Sequence, residues 1–273
     1  KEVIKKSKLK PEEIDDLIMG QVLTAGTGQN PARQAGIKAG LPIEKPAYVV
    51  NQVCGSGLRS IANGYQSIIS NDAKIVVAGG QESMTNAPHS IIFRNDKKLD
   101  ESKLVDTMMK DGLWDAFNGY HMGVTAENVA EKWKITRKEQ DNFALSSQIK
   151  TEKAQKKGNF KNEIISIKKF EVDEHPRNGA TIEKLEKLKP AFKSKGTVTP
   201  GNASGINDGA AAVILMEERE AEKRGLKPLA RIVSWATCGV DPALMGSGPI
   251  PASKKALEKA AWKTNELDLI ESN

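Results

Sequence analysis

Cysteine, aromatic surface and long apolar runs are all scarce in this 273-residue chain. Its two cysteines, Cys54 and Cys238, cannot staple a chain of this length, which sets aside a disulfide-framed secreted fold. Aromatic residues make up only 5%, and no zinc-finger or RNA-binding signature accompanies them. Base stacking therefore has little to work with, and no nucleic-acid partner is expected. No apolar stretch approaches the ~20 residues of a membrane span, and mean hydropathy is −0.46. No membrane role is expected, and with no signal peptide the expected compartment is the cytoplasm. Metal-ligand clusters and paired carboxylates are missing too, so no metal is expected. The sequon at Asn202-Ala203-Ser204 reads as a chance match.

What is present is a globular composition, 38% hydrophobic and 28% charged. The length suits roughly two domains. Short Val/Ile-rich runs at 47–53, 74–78, 210–216 and 229–235 predict strands buried on both faces. Helical stretches lie between them, at 58–70 and at 137–157. The second starts with Thr136 and Glu139 in capping-box spacing and stops at Gly158. Strand and helix alternate near both ends, which predicts an α/β class. From about residue 83 to 204 the pattern turns to helices and irregular loops, as an insertion would. The chain starts at Lys1 inside a helical pattern and stops after the strand-like Leu267-Asp268-Leu269-Ile270. This predicts a piece of a longer protein lacking both ends. Lys6, Lys10, Glu13 and Asp15 recur as Lys259, Lys263, Glu266 and Asp268, which suggests an internal repeat.

Cys54 is the sharpest chemical feature. It sits in Asn51-Gln52-Val53-Cys54-Gly55-Ser56-Gly57-Leu58, between a predicted strand and a predicted helix. A thiol at a helix N-terminus faces unpaired N–H groups and the positive end of the dipole, which favour the thiolate nucleophile. The same N–H groups suit an oxyanion hole. A buried structural cysteine is the alternative. Cys238 lacks such flanks and reads as core. Of the three histidines, His175 reads as a solvated surface residue and His89 as a loop residue. His121, in Gly119-Tyr120-His121-Met122-Gly123, suits a pocket wall or a satisfied core position, and none of the three is placed as a base. Two glycine-rich loops, residues 201–209 and Gly246-Ser247-Gly248-Pro249, serve either a ligand or a tight connection. Neither has the Gly-Lys-Ser/Thr of a phosphate loop.

Together these segments resemble the thiolases, in the branch of acetyl-CoA acetyltransferases. The resemblance runs through Asn51-Gln52-Val53-Cys54-Gly55-Ser56-Gly57 and Gly79-Gly80-Gln81-Glu82-Ser83-Met84. It continues in His121-Met122-Gly123-Val124-Thr125-Ala126-Glu127, residues 201–209, Gly239-Val240-Asp241-Pro242 and Gly246-Ser247-Gly248-Pro249. It implies a fold of two similar α/β halves, layered helices and sheets, with a loop domain inserted in the first. On this chain that means a first half at 1–83 and 207–227, an insert at 84–206, and the start of a truncated second half at 228–273. The implied reaction is the Claisen condensation of two acetyl-CoA molecules to acetoacetyl-CoA and CoA, and its reverse. Coenzyme A thioesters are substrates, and no cofactor is held permanently. Cys54 would carry the acetyl group. Asn273 would open an Asn-Glu-Ala-Phe motif whose asparagine orients a water. Leu113, His121, Met122, Arg177, Phe192, Ser204, Gly205 and Met245 would line the coenzyme A site. The His121-Met122 pair implies the short-chain branch, and the family implies a homodimer or homotetramer.

Some family features are missing. The Gly-His-Pro histidine, the second cysteine and the first strand are not in this sequence, and Pro200 and Lys184 replace smaller residues. A polypeptide of these residues alone is therefore expected to be inactive, and a non-catalytic coenzyme A-binding or assembly module is the alternative. A cysteine hydrolase would need a histidine placed beside Cys54. The net charge of +6 is concentrated in residues 146–200, with 13 Lys+Arg against 7 Asp+Glu, a difference of six. A polyanionic coenzyme accounts for that excess, with a solvated lysine-rich face as the alternative.

Overall fold

The computed structural model describes residues 1–94 and 100–272. Asn273 lies outside the described residues. In chain order the elements are α1 (Glu2–Lys6), β1 (Asp16–Gly20), α2 (Pro31–Ala39), β2 (Ala47–Val50), α3 (Ser56–Ile69) and β3 (Ile75–Ser83). Short strands β4 (His89–Ser90), β5 (Val105–Asp106), β6 (Trp114–Asp115) and β7 (Tyr120–His121) follow. Then come α4 (Met122–Trp133), α5 (Arg137–Lys156), α6 (Ile182–Glu186), β8 (Asp208–Met216), α7 (Glu218–Lys223) and α8 (Pro249–Ala260). Among the described residues no helix is long and apolar enough to cross a membrane.

Two compact units divide the chain, one of residues 1–113 with 206–231, the other of 114–205 with 232–273. The first holds a four-stranded sheet in the order β2-β1-β3-β8. β1 runs parallel to both neighbours and β8 antiparallel to β3. Alternate residues of β1 serve opposite faces, as expected for a strand covered on both sides. Leu17 and Met19 pack with Ile14, Leu41, Ile75 and Val77, whereas Ile18 packs with Ile68, Ala73 and Val76. Asp15 ties the start of this sheet: its carboxylate accepts the amides of Lys74 and Ile75 at 2.9 and 3.0 Å. Burial pushes its pKa up, but those two amides and Lys45 outweigh it and hold the carboxyl below its ordinary value.

In the second unit the capping box expected at Thr136 forms, with Glu139 Oε2 accepting the Thr136 amide at 2.7 Å. α5 stops at Gly158, whose φ of +70° is left-handed. The fully buried Asp141 accepts from Arg137 Nε at 2.7 Å and from Asn202 Nδ2 at 2.9 Å. Asn202 Nδ2 also donates to Thr197 O, and its Oδ1 accepts the Thr199 amide. All three hydrogen-bonding positions thus anchor the glycine-rich loop, and the sequon asparagine has no free amide.

Several sequence expectations fail. The run at 210–216 forms β8 but is not buried on both faces: residues 208–213 are exposed and 214–216 half-buried, because β8 is an edge strand of the sheet. Residues 229–235 and 267–270, expected as strands, belong to no strand. A strand needs a ladder partner, and no strand among the described residues lies beside either run. Residues 229–235 are held through α8 instead: Ser234 Oγ donates to Ala256 O, and Lys259 Nζ donates to Trp235 O and sits 5.1 Å over the Trp235 ring centroid. Leu229 and Leu269 stay fully or nearly fully exposed. Cys238, expected in the core, is half-buried in the irregular segment three residues beyond the 229–235 run.

The internal repeat is visible in the backbone. Lys8 and Ala261 share a left-handed φ, +59° and +55°. Two residues on, Lys10 and Lys263 donate their amides to Glu13 and Glu266 Oε2 at 2.7 and 2.6 Å. Each pair opens a three-residue 3₁₀ turn, Pro11–Glu13 and Thr264–Glu266. The first copy runs on into β1.

β1 ends at Gly20, against the first turn of α3. A Cβ there would lie 2.4 Å from the Ser56 carbonyl carbon and 2.6 Å from Gly57 N, both backbone atoms that cannot swing away. Gly20→Ala is expected to lower stability by about 1–3 kcal/mol, as overpacking does. Chemical denaturation would show this as a lower midpoint with an unchanged slope.

Candidate active site

Cys54 lies in the reversal between β2 and α3, with its side chain exposed. The reversal is built by local hydrogen bonds. Asn51 Oδ1 accepts the Val53 amide at 2.9 Å, and Gln52 O accepts the Gly55 amide at 3.1 Å. The buried Ser56 hydroxyl accepts from Gln52 N at 2.8 Å and donates to Val53 O at 2.5 Å, bracing both sides of Val53. Val53 itself has φ +47°. A left-handed β-branched residue is a genuine outlier, costing about 1–3 kcal/mol. Behind the reversal, the fully buried Ser60 hydroxyl donates to Gly79 O of β3 at 2.7 Å, fastening α3 to the sheet.

A cavity of about 450 Å³ opens in front of Cys54, within the size range of small-molecule sites. Its walls come from the end of β1 (Gly20) and the segment after it, from β3 and from β8. The rim of the first wall is clamped by Glu82, whose two carboxylate oxygens accept the Val22 and Leu23 amides at 2.9 and 3.1 Å. Gln81 Nε2 donates to Gln21 Oε1 at 2.8 Å beside it. Gly112 and Leu113 close another side from the last residues of a π-helix, Met108–Leu113. Leu113, expected on resemblance, is thus placed with Cys54. Gln81 and Glu82 had no role in the sequence reading; their signal was the Gly79-Gly80-Gln81-Glu82 run at the end of a strand.

The remaining expected residues belong to the other unit, apart from Asn273, which is not described. His121 caps α4: its Nδ1 accepts the Gly123 amide at 2.9 Å, which puts the proton of the neutral ring on Nε2. Phe192 stacks on the imidazole, centroids 4.5 Å apart and planes 17° from parallel. Gly123 makes room for this stack, since a Cβ there would lie 2.1 Å from the Phe192 ring. Met122 is the first residue of α4 and half-buried. Glu127, one turn on, accepts the Thr197 and Val198 amides at 2.8 Å and the Thr197 hydroxyl. Burial alone would raise the pKa of this carboxyl, but those donors and Lys193 hold it below its ordinary value. Met245 is exposed on the 3₁₀ segment Pro242–Ser247, which Asn128 of α4 ties in through Ala243 O at 3.1 Å.

Arg177 and Ser204 are exposed and Gly205 half-buried on loops; the Arg177 amide donates to Gln148 Oε1. Lys184 donates to Gly179 O at 3.0 Å, and Pro200 is exposed. Among the described residues no group of three or more His, Cys, Asp or Glu side chains could hold a metal ion.

Burial lowers the His121 pKa below its ordinary 6.5. The neutral ring is the form that caps α4, so the unfolded chain binds the proton more readily. The cap's contribution is therefore complete above pH 6.5 and declines as pH falls through the lowered folded-state value. Thermal denaturation between pH ~7.5 and ~5.5 should show the melting temperature of this unit dropping, in line with the ~1 kcal/mol of a typical N-cap. His121→Gln, which keeps an acceptor but does not titrate, should flatten that profile; an equally steep profile in the variant would locate the effect elsewhere.

Comparison with known proteins bears on the whole chain. Residues 1–219 match the family model of the thiolase N-terminal domain, and residues 226–273 that of the thiolase C-terminal domain. The chain is 59% identical to acetyl-CoA acetyltransferase of Paracoccus denitrificans and 58% to that of Rhizobium meliloti, spanning all of this chain and 72% of each relative. It is 51% identical to the cytosolic acetyl-CoA acetyltransferase of Mus musculus, again over its full length and 71% of the relative. The crystal structure of the Bacillus anthracis acetyl-CoA acetyltransferase superposes with a TM-score of 0.91 at 40% identity, covering 98% of this chain and 70% of that one. Two matching domain models that together run through nearly the whole chain and relatives above half identity agree: the chain belongs to the thiolase family.

Proposed function

We propose that this chain carries the acyl-accepting site of an acetyl-CoA acetyltransferase, with Cys54 as the nucleophile. The observation that carries the reading is the placement of Cys54: exposed, at the mouth of a 14-residue helix, facing a cavity walled by glycines and apolar side chains. The thiolate attacks the thioester carbonyl of acetyl-CoA; a bond from Sγ to carbon forms, the bond from carbon to the coenzyme sulfur breaks, and CoA leaves as its thiolate. The first turn of a helix offers N–H groups without intrahelical partners, suited to the oxyanion that develops on the carbonyl. In the second half-reaction a base removes a methyl proton from another acetyl-CoA. The resulting carbanion attacks the acetyl-Cys54 carbonyl, forming acetoacetyl-CoA and returning Sγ as thiolate.

The same reading gives the second unit the coenzyme. On that reading His121, Met122, Phe192 and Met245 take the pantetheine arm and acyl group, and Leu113 is a coenzyme A contact as well. Arg177, Ser204 and Gly205, on the lysine-rich insert, meet the adenosine and phosphates. Asn273 is assigned the water-orienting role. A cytoplasmic homo-oligomer of short-chain specificity, serving lipid metabolism, is part of the proposal; both cysteines being free of disulfides fits that compartment.

Incubation of the full-length protein with acetyl-CoA followed by peptide mass spectrometry should find one acetyl group on the peptide holding Cys54, and Cys54→Ser should abolish it. An adduct that persists in the variant would overturn the assignment. A polypeptide of these 273 residues alone should form no acetoacetyl-CoA, since none of its described histidines or its second cysteine lines the Cys54 cavity; measurable turnover would refute this.

A further inference from the structure

Seven non-glycine residues among those described have a positive φ, and Val53 is the one β-branched residue in the set. The others are lysine, asparagine or alanine, residues that meet this conformation with less crowding at Cβ. Strain of this kind persists only where the surroundings impose it, and it concentrates at functional sites. Core packing does not impose it here, because the Val53 side chain is 47% exposed. What holds the residue is the brace from Asn51 on its amide and Ser56 on its carbonyl. Val53 lines the cavity together with Cys54.

We propose that Val53 is a positioning residue for acyl transfer: its left-handed backbone aims the Cys54 thiol into the cavity, and its branched side chain keeps that reversal from opening. Glycine would satisfy the dihedral angle better than valine does. A valine at this position therefore gives up conformational ease for stiffness. Asparagine, the residue that fills two other left-handed positions in this chain, Asn30 and Asn71, would serve a turn; it would not supply an apolar wall. The chemistry asks for both properties, because the nucleophile has to meet a carbonyl carbon at a defined angle while water is kept from its flank.

This inference rests on the acyl-transfer reading above, and its test separates the two. Val53→Gly, Val53→Ile and the unaltered chain are compared for acetyl-Cys54 formation at a series of acetyl-CoA concentrations, for alkylation of Cys54 by iodoacetamide, and for thermal stability. The glycine variant should melt no lower than the parent, yet form the acetyl adduct roughly 10- to 100-fold more slowly at saturation, the scale set by an ångström-sized misplacement of a reacting group. The concentration giving half the maximal rate should change far less. The isoleucine variant, branched at the same carbon, should stay within about threefold of the parent rate. Iodoacetamide is small and needs no defined approach, so it should alkylate Cys54 in all three proteins, showing the thiol is present and reachable. An acetylation rate in Val53→Gly equal to the parent's would overturn the role of Val53 while leaving the nucleophile assignment standing. Absence of any adduct in the parent protein, with alkylation intact, would instead strike the acyl-transfer reading itself.

Discussion

The site depends on how closely the first turn of α3 approaches the ends of β1 and β3. Gly20 permits the approach by having no side chain, since any Cβ would meet the Ser56–Gly57 backbone. The Ser60–Gly79 hydrogen bond then holds the helix in place from within the core. With that distance set, the loop joining β2 to α3 has few ways to close, and the braces on Val53 select a strained one. The cavity in front of Cys54 is the space left over by this packing, and its clamp at Glu82 grows from the same strand that Ser60 grips. Helix, strand ends and the Cys54 loop are thus positioned by one close backbone approach, fastened by side-chain hydrogen bonds from Ser60, Asn51, Ser56 and Glu82.

A second arrangement of the same kind organises α4. A neutral histidine caps the helix, a glycine one position inside it admits an aromatic ring, and the ring covers the histidine. Glu127 then fastens the same helix to residues 197–198 through two backbone amides. Helix start, ring and residues 197–198 are thus joined by polar and aromatic contacts rather than by aliphatic packing.

Much of this was legible in the residues. The capping box at Thr136, the stop at Gly158 and strands at 74–78 and 210–216 follow from local chemistry: hydroxyl and carboxylate spacing, glycine at a left-handed position, runs of small and β-branched residues; β3 reaches further, to Ser83, and β8 starts earlier, at Asp208. What escaped was set by distant partners. Residues 229–235 have the composition of a strand and lack a neighbour to pair with, so propensity had nothing to act on. The π-helix at Met108–Leu113 departs from the 3.6-residue period on which sequence patterns rely. Val53 gives no turn signal at all, since valine is among the last residues expected at positive φ. Its conformation is dictated by Asn51 and Ser56, two residues that look ordinary in the sequence. Gln81 and Glu82 were visible only as a motif; the strand register that carries Glu82 to the Val22 and Leu23 amides was not.

The repeated turn at Lys8 and Ala261 shows how little of a backbone path is written in the residue that bends it. The two residues share nothing chemically, one charged and one a methyl group, yet both hold the same unusual backbone angle ahead of the same lysine-to-glutamate turn. The shared lysine and glutamate carry the sequence side of the repeat, and the left-handed residue before them carries a geometric side that its identity does not reveal.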